Sequence, residues 1–392
     1  MIKYILKFII FLLFFNLSYS QNIDSLHTKR INDTILSKIL NQKRSVDIQL
    51  PRSYDNDLEK KYPLMIVLDG DYMFNLVSGS VDYLSYWGDI PENIVVGINQ
   101  INSRFQDTSV LDNISALPIS STALFFDFIS NELIDYLEKE YRISEFKIII
   151  GHERTANFAN FFVLKKKPRI RGVISISPKL SSQMNNFLLN NLAQTKSKIS
   201  YVISTSKNDF ESIYLSVTKL RESILQINNS NLIFESVTLN KENHYTLPSI
   251  SVPMSISALY SKYPDIGDYE YESIISKLDY SPIAYVQNKY QLIKDFYGIE
   301  KKITINDFMA IEKYIESFEQ FGLFDELSKL AQLEYPETIL PSYYKGRFFE
   351  EKGNPEKAMH IYRSAYNMNE VEGLSKEYLL KLADQINDNL KF

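Results

Sequence analysis

Between about residue 44 and residue 262 the chain repeats one pattern. A short run of apolar, largely β-branched residues gives way to a turn, and then to a stretch with apolar residues at three- and four-residue spacing. Strands are predicted at SVDIQL, PLMIVLD, NIVVGIN, KIIIG, GVISIS, KISYVIS and LIFESVTL, with helices over 125–141, 209–227 and 250–260. Strands that are apolar throughout bury both faces, and strands that alternate with helices pair in parallel. The pattern predicts an α/β fold: a mostly parallel central sheet with helices on both faces.

After about Tyr263 the strand signal stops and the chain reads as helices separated by Gly or Pro breaks. In YYKGRFFEEKGNPEKAMHIYRSAY, the spacing of Gly346, Phe349, Ala358, Tyr362 and Ala365 matches a tetratricopeptide helix pair. A weaker copy, EQFGLFDELSKLAQLEYPE, precedes it. The expected organisation is a sheet domain over 21–262 and a small helical, repeat-like domain over 263–392. The helical domain reads either as a plain packing hairpin or as a surface for a protein or peptide partner.

The first residues, MIKYILKFIIFLLFFNLSYSQN, place Lys3 and Lys7 before an apolar core and end in small residues at Ser18 and Ser20. That layout predicts a signal peptide over 1–20, cleaved after Ser20, and hence a secreted or periplasmic protein with no stable membrane insertion afterwards. The apolar run is short for a membrane span. With no cysteine, disulfides, thiolate metal sites and lipid-bearing cysteines are excluded. A net charge of -5 provides no attraction to phosphate backbones, so nucleic acid is not an expected partner.

The stretch IIIGHERTANFANFF, 148–162, reads as strand, sharp turn and helix. It has the layout of the G-x-S-x-G turn that presents a nucleophilic serine, with Glu153 in the serine's place and Thr155 in that of the second glycine. Together with YPLMIVLDGD, IVVGINQINSRFQDTS, FISNELIDYLEKEYRISEFKIIIGH, VISISPKL and KENHYTLPSI, this makes residues 44–262 resemble the esterase family of α/β-hydrolases that includes esterase D and the enterochelin esterases. The resemblance implies an α/β-hydrolase fold, a cleft for a small ester-like ligand, and a triad of serine, acid and histidine.

Mapped by that resemblance, the triad positions are Glu153, Asp209 and His244, with Glu211 as an alternative acid. Asp209 reads equally well as the cap of the following helix. The oxyanion donors map to the backbone N–H of Asp71 or Tyr72 and of Arg154. Arg104 maps to a loop at the mouth of the pocket, where it contacts an anionic substrate or is simply solvated.

Glu153 argues against ordinary serine chemistry, because a carboxylate needs no base and Glu reaches about 1.5 Å further than Asp. The β-branched Thr155 is expected to relax the turn, and Arg154 to pair with Glu153. Two readings stay open: a degenerate esterase that keeps a binding cleft, or an active hydrolase using Glu153 and His244. The histidines, at 27, 152, 244 and 360, show no metal-ligand spacing, and no phosphate-binding glycine motif is present, so no metal or cofactor is expected.

Overall fold

The computed structural model describes residues 27–390, so the predicted signal peptide lies outside the described residues. The chain divides between Ser261 and Lys262 into two compact units.

In the first unit, eight strands form one sheet in the order β1-β2-β4-β3-β5-β6-β7-β8. They are β1 (Lys29–Ser37), β2 (Gln42–Leu50), β3 (Tyr62–Val67), β4 (Ile94–Ile98), β5 (Ile143–His152), β6 (Gly172–Ile176), β7 (Ile199–Asn208) and β8 (Leu232–Asn243). From β4 through β8 all pairings are parallel, whereas β1 and β2 pair antiparallel with each other and β2 with β4. Along the central strands Leu64, Ile66, Ile149 and Val173 join one core, and the alternate residues Met65, Val67, Ile148 and Ile150 are equally buried. Since successive side chains point to opposite faces, the sheet is covered on both sides.

The covering helices are α1 (Gly70–Tyr86), α2 (Arg104–Thr108), α3 (Ser120–Asp127), α4 (Ile134–Glu140), α5 (Arg154–Ala159), α6 (Met184–Gln194), α7 (Glu211–Ile224) and α8 (Leu247–Leu259). The helix expected over 125–141 is interrupted by a π turn, Phe128–Leu133, between α3 and α4. Strand β1 and helix α1 were not anticipated. Parallel strands put their carboxyl ends on one edge of the sheet, where ligands of open α/β sheets bind. Asp69, His152, Ser177 and Asp209 all sit at or just beyond such ends.

The second unit is helical: α9 (Asp268–Ser273), α10 (Pro282–Tyr297), α11 (Ile305–Ser317), α12 (Phe324–Glu334), α13 (Leu340–Glu351), α14 (Pro355–Ser364) and α15 (Lys376–Asn389). From α11 to α15 each helix packs on the next. The close approach of α13 and α14 depends on Gly346, where a Cβ would lie 2.0 Å from the Tyr362 ring.

Candidate active site

Glu153 stands alone between β5 and α5 with φ 60 and ψ −106, a conformation that costs a non-glycine residue of order 1–3 kcal/mol. The surroundings impose it. Glu153 N–H donates to Ile176 O at 3.0 Å, and Glu153 O accepts from Asn157 N–H and Lys179 N–H, both at 3.1 Å. Helix α5 presses onto the strand end so closely that a Cβ on Gly151 would lie 2.5 Å from the Thr155 backbone.

The expected relaxation of this turn by Thr155 does not occur. Thr155 is fully buried, and its hydroxyl accepts from His152 N–H at 2.8 Å and donates to Asp69 Oδ2 at 2.8 Å. The side chain that was to disturb the turn therefore supplies partners to it.

Asp69, at the end of β3, is the hub of a second set of contacts that the sequence did not suggest. Its neighbour Arg104 donates from Nε to Asp69 Oδ1 at 2.7 Å and from Nη2 to Asp69 Oδ2 at 3.1 Å. The same guanidinium donates from Nη2 to His152 O at 3.0 Å and from Nη1 to Glu153 Oε2 at 2.9 Å. Arg104 lines the cleft with four of its five N–H groups donating to protein oxygens. Arg154 is a lesser partner of Glu153, with Nε 3.6 Å from Oε1 and the guanidinium over the Phe105 ring. Burial pushes the Glu153 carboxyl up, yet the hydrogen bond and charge of Arg104, aided by Arg154, outweigh it and hold the group below its ordinary range.

The acid and the histidine converge. His244, in the loop after β8, donates from Nδ1 to Asp209 Oδ1 at 2.8 Å, and Asp209 Oδ1 also accepts from Phe210 N–H at 2.8 Å. Ser177, at φ 46 beyond β6, donates to Asp209 Oδ2 at 2.5 Å and lies 3.1 Å from His244 Nδ1. Burial raises Asp209, but these donors prevail and keep its carboxyl below its usual value. Glu211, the alternative acid, is exposed in the first turn of α7 and does not replace Asp209 in this pair. With Nδ1–H bound to the carboxylate, His244 keeps Nε2 as its basic nitrogen.

The His244 ring is 5% exposed, with the rings of His152 at 4.8 Å and Phe210 at 4.5 Å, tilted from it by 32° and 30°. His152 contacts the Tyr72 hydroxyl at 3.1 Å through Nδ1, and its buried Nε2 has no hydrogen-bond partner among the described residues. Burial, then the nearby charges of His244 and Arg104, lower His152 to about 4, so the ring is neutral near pH 7.

The backbone N–H groups mapped as oxyanion donors differ in their partners. The Tyr72 N–H already donates to Asp69 O at 3.1 Å in the first turn of α1, and the Tyr72 hydroxyl donates to Asp69 Oδ2 at 3.0 Å. The Asp71 carboxylate accepts from Gln100 N–H at 2.6 Å. Arg154 is the first residue of α5, a position whose N–H has no acceptor within its helix.

Glu153 and His244 share a cleft of about 490 Å³ whose apolar wall is formed by Met73, Leu76, Tyr245 and Pro248. A larger concavity, about 740 Å³, between Leu117, Lys165 and Lys196 holds none of these groups. Asp69, Ser177, His152 and Phe210 had been given no role from sequence. Asp69 alone left a signal, as an acid at the carboxyl end of a predicted parallel strand.

Residues 37–248 match the model of the family described as "Putative esterase". The chain belongs to this family. Solved structures agree with the fold of an esterase-family protein. An uncharacterised protein from Capnocytophaga ochracea is 23% identical with a TM-score of 0.78, covering 92% of this chain and 100% of its own. An IroE-like serine hydrolase from Shewanella oneidensis is 19% identical at a TM-score of 0.57, covering 78% of this chain and 99% of its own. The BES protein from Bacillus cereus is 18% identical at 0.52, covering 59% and 95%. At these identities the likeness is one of fold. A comparison with curated proteins found no match to this esterase-family chain.

Proposed function

We propose that Glu153 stands at the nucleophile position of the esterase family, that the protein does not hydrolyse esters by the serine mechanism, and that its cleft acts as a binding site. One observation carries this reading: Glu153 Oε2 accepts from Arg104 Nη1 at 2.9 Å, while Arg104 is itself clamped by Asp69. A carboxylate attacks through a lone pair, and a charge-assisted hydrogen bond together with a depressed pKa makes that lone pair a poor nucleophile. The Asp209–His244 pair retains the geometry of a base, yet at residue 153 it has no hydroxyl to deprotonate.

The test is turnover of a small activated aryl ester and labelling by a fluorophosphonate. Wild-type protein is expected to show neither at residue 153. Ester turnover that disappears in Glu153→Gln would overturn the reading and make Glu153 the reacting group. In Glu153→Ser, the base pair and the Arg154 N–H would serve a restored hydroxyl, while Arg104 would have lost a carboxylate partner.

Export belongs to the same proposal, with residues 1–20 as the removed leader. N-terminal sequencing of exported protein tests it, and a retained Met1 would refute it. No helix among the described residues is long and apolar enough to cross a membrane.

A second reading concerns the helical unit as a repeat array that engages a protein or peptide. It is favoured by the recurrence of long helices beginning at Ile305, Leu340 and Lys376, and by the glycine-to-tyrosine contact between α13 and α14.

A further inference from the structure

The cleft adjoins a second depression at Leu76. This depression, of about 370 Å³, follows the seam between α1 and α8 and is bordered by Gly79, Ser80, Tyr83 and Pro253. Among the described residues no charged side chain lines this trough, whose only polar side chains besides the Tyr83 hydroxyl are those of Asn75 and Ser80. Its surroundings are apolar too. Tyr72, Leu76, Tyr83 and Trp87 recur at helical spacing along α1, and Tyr83 and Trp87 are each 66% exposed. Ile250 and Met254 of α8 are also exposed. Exposed large apolar side chains gathered beside a cleft in this way mark a binding surface.

Gly79 supplies an independent observation. It sits inside α1, where glycine weakens a helix, and nothing lies within 4 Å of the position its Cβ would take. Gly97 and Gly151 are required by neighbours that crowd them, but packing does not require Gly79. What the missing side chain provides is an open trough floor.

We propose that this trough holds the unbranched hydrocarbon chain of a single soluble amphiphile, a neutral monoacyl ester of a polyol, with its polar head beside Glu153 and His244. The proposal rests on the cleft being a binding site. The distance from Tyr72 to Tyr83 is about 16 Å along the helix axis at ~1.5 Å per residue, the reach of an extended chain of about a dozen carbons. The head is neutral because an anionic one would meet the Glu153 carboxylate, while the Arg104 cation is already flanked by Asp69 and Glu153. Glu153 Oε1 lies 3.6 Å from Arg154 Nε, beyond hydrogen-bond reach, and keeps lone pairs for a polyol hydroxyl.

Trp87, the chain's single tryptophan, is one helical turn beyond Tyr83 and serves as the reporter. The full chain is titrated with monolaurin below its aggregation concentration, with monobutyrin, and with phosphatidylcholine vesicles. A saturable blue shift of Trp87 emission is expected with monolaurin alone. Gly79→Leu fills open space with a stronger helix former, so the fold is kept, checked by circular dichroism, while monolaurin affinity falls by about tenfold or more as methylenes lose their apolar contacts. Equal responses to both chain lengths, a response to vesicles alone, or no effect of Gly79→Leu would overturn the proposal.

Laurate release is measured in the same samples. Release accompanied by Gly79-dependent binding would overturn the non-hydrolytic reading and leave the trough standing. Absence of both release and a Trp87 response would remove the trough and leave the non-hydrolytic reading intact.

Discussion

Thr155 Oγ1 donates to Asp69 Oδ2 across 2.8 Å, joining the first turn of α5 to the end of β3. Both groups are buried, so the bond cannot be exchanged for water. Thr155→Val keeps the shape and removes the donor. It is expected to lower stability by about 1–3 kcal/mol, the cost of leaving a buried acceptor under-satisfied, as measured by urea denaturation. A change below about 0.5 kcal/mol would show that Arg104 and the Tyr72 hydroxyl suffice for Asp69.

The Arg104 clamp should respond unequally to removal of its partners. The Asp69 side chain is 2% exposed and that of Glu153 20%. Arg104→Met strands a buried carboxylate and is expected to cost about 3–5 kcal/mol, whereas Glu153→Gln keeps a hydrogen-bonding side chain in a partly wet site and should cost about 1 kcal/mol. Equal costs in chemical denaturation would mean that Asp69 is not the anchor.

His152 links stability to pH. Its ordinary value of 6.5 falls to about 4 in the folded protein, so between these values the unfolded chain binds more protons. Stability is therefore full above about pH 6.5 and falls by up to about 3 kcal/mol as pH drops towards 4. The depressed carboxyls of Glu153 and Asp209 act at lower pH, since their contributions are present above ordinary values of 4.5 and 3.8 and are lost below them. Comparing the urea midpoints of wild type and His152→Asn at pH 7 and pH 5 isolates the histidine. An unchanged slope in the variant would refute the assignment.

Gly346→Ala places a methyl group against the Tyr362 ring, where the ideal Cβ would lie 2.0 Å away. The helical unit should lose about 1–3 kcal/mol or more, because the α13–α14 pair must separate. Gly322→Ala meets nothing within 4 Å and serves as the control. Thermal melting of both variants distinguishes a close-approach glycine from a merely permissive one.

What could be read from the chain depended on how local its cause was. Strands β3 to β7 were legible because each carries an apolar run buried on both faces, and β2 and β8 because apolar residues recur along their sequences SVDIQL and LIFESVTL. Strand β1, KRINDTILS, was not: as an edge strand it has an exposed side and needs only Ile31 and Ile35 inward. Helix α1 was masked by Gly70 and Gly79, and the π turn between α3 and α4 leaves no compositional trace. At the site, Glu153, Asp209 and His244 were placed by the resemblance of their segments to the esterase family. The Asp69–Arg104 clamp and Ser177 were not, because their meaning comes from segments that meet only after the sheet closes. Thr155 was misjudged for a physical reason: branching at Cβ was weighed, while the hydroxyl's ability to serve a buried carboxylate was not.

The strand order also bears on how the chain reaches this state. β3 is central, but its neighbour β5 arrives only after β4 and several helices have been made, and β8 at the far edge is the last strand in sequence. Such distant pairings carry a loop-closure penalty before they bring any stabilisation, whereas each helix from α11 to α15 packs on the one next to it. The first unit, although it emerges first, is therefore the slower and more aggregation-exposed folder, and the helical unit that follows it the faster.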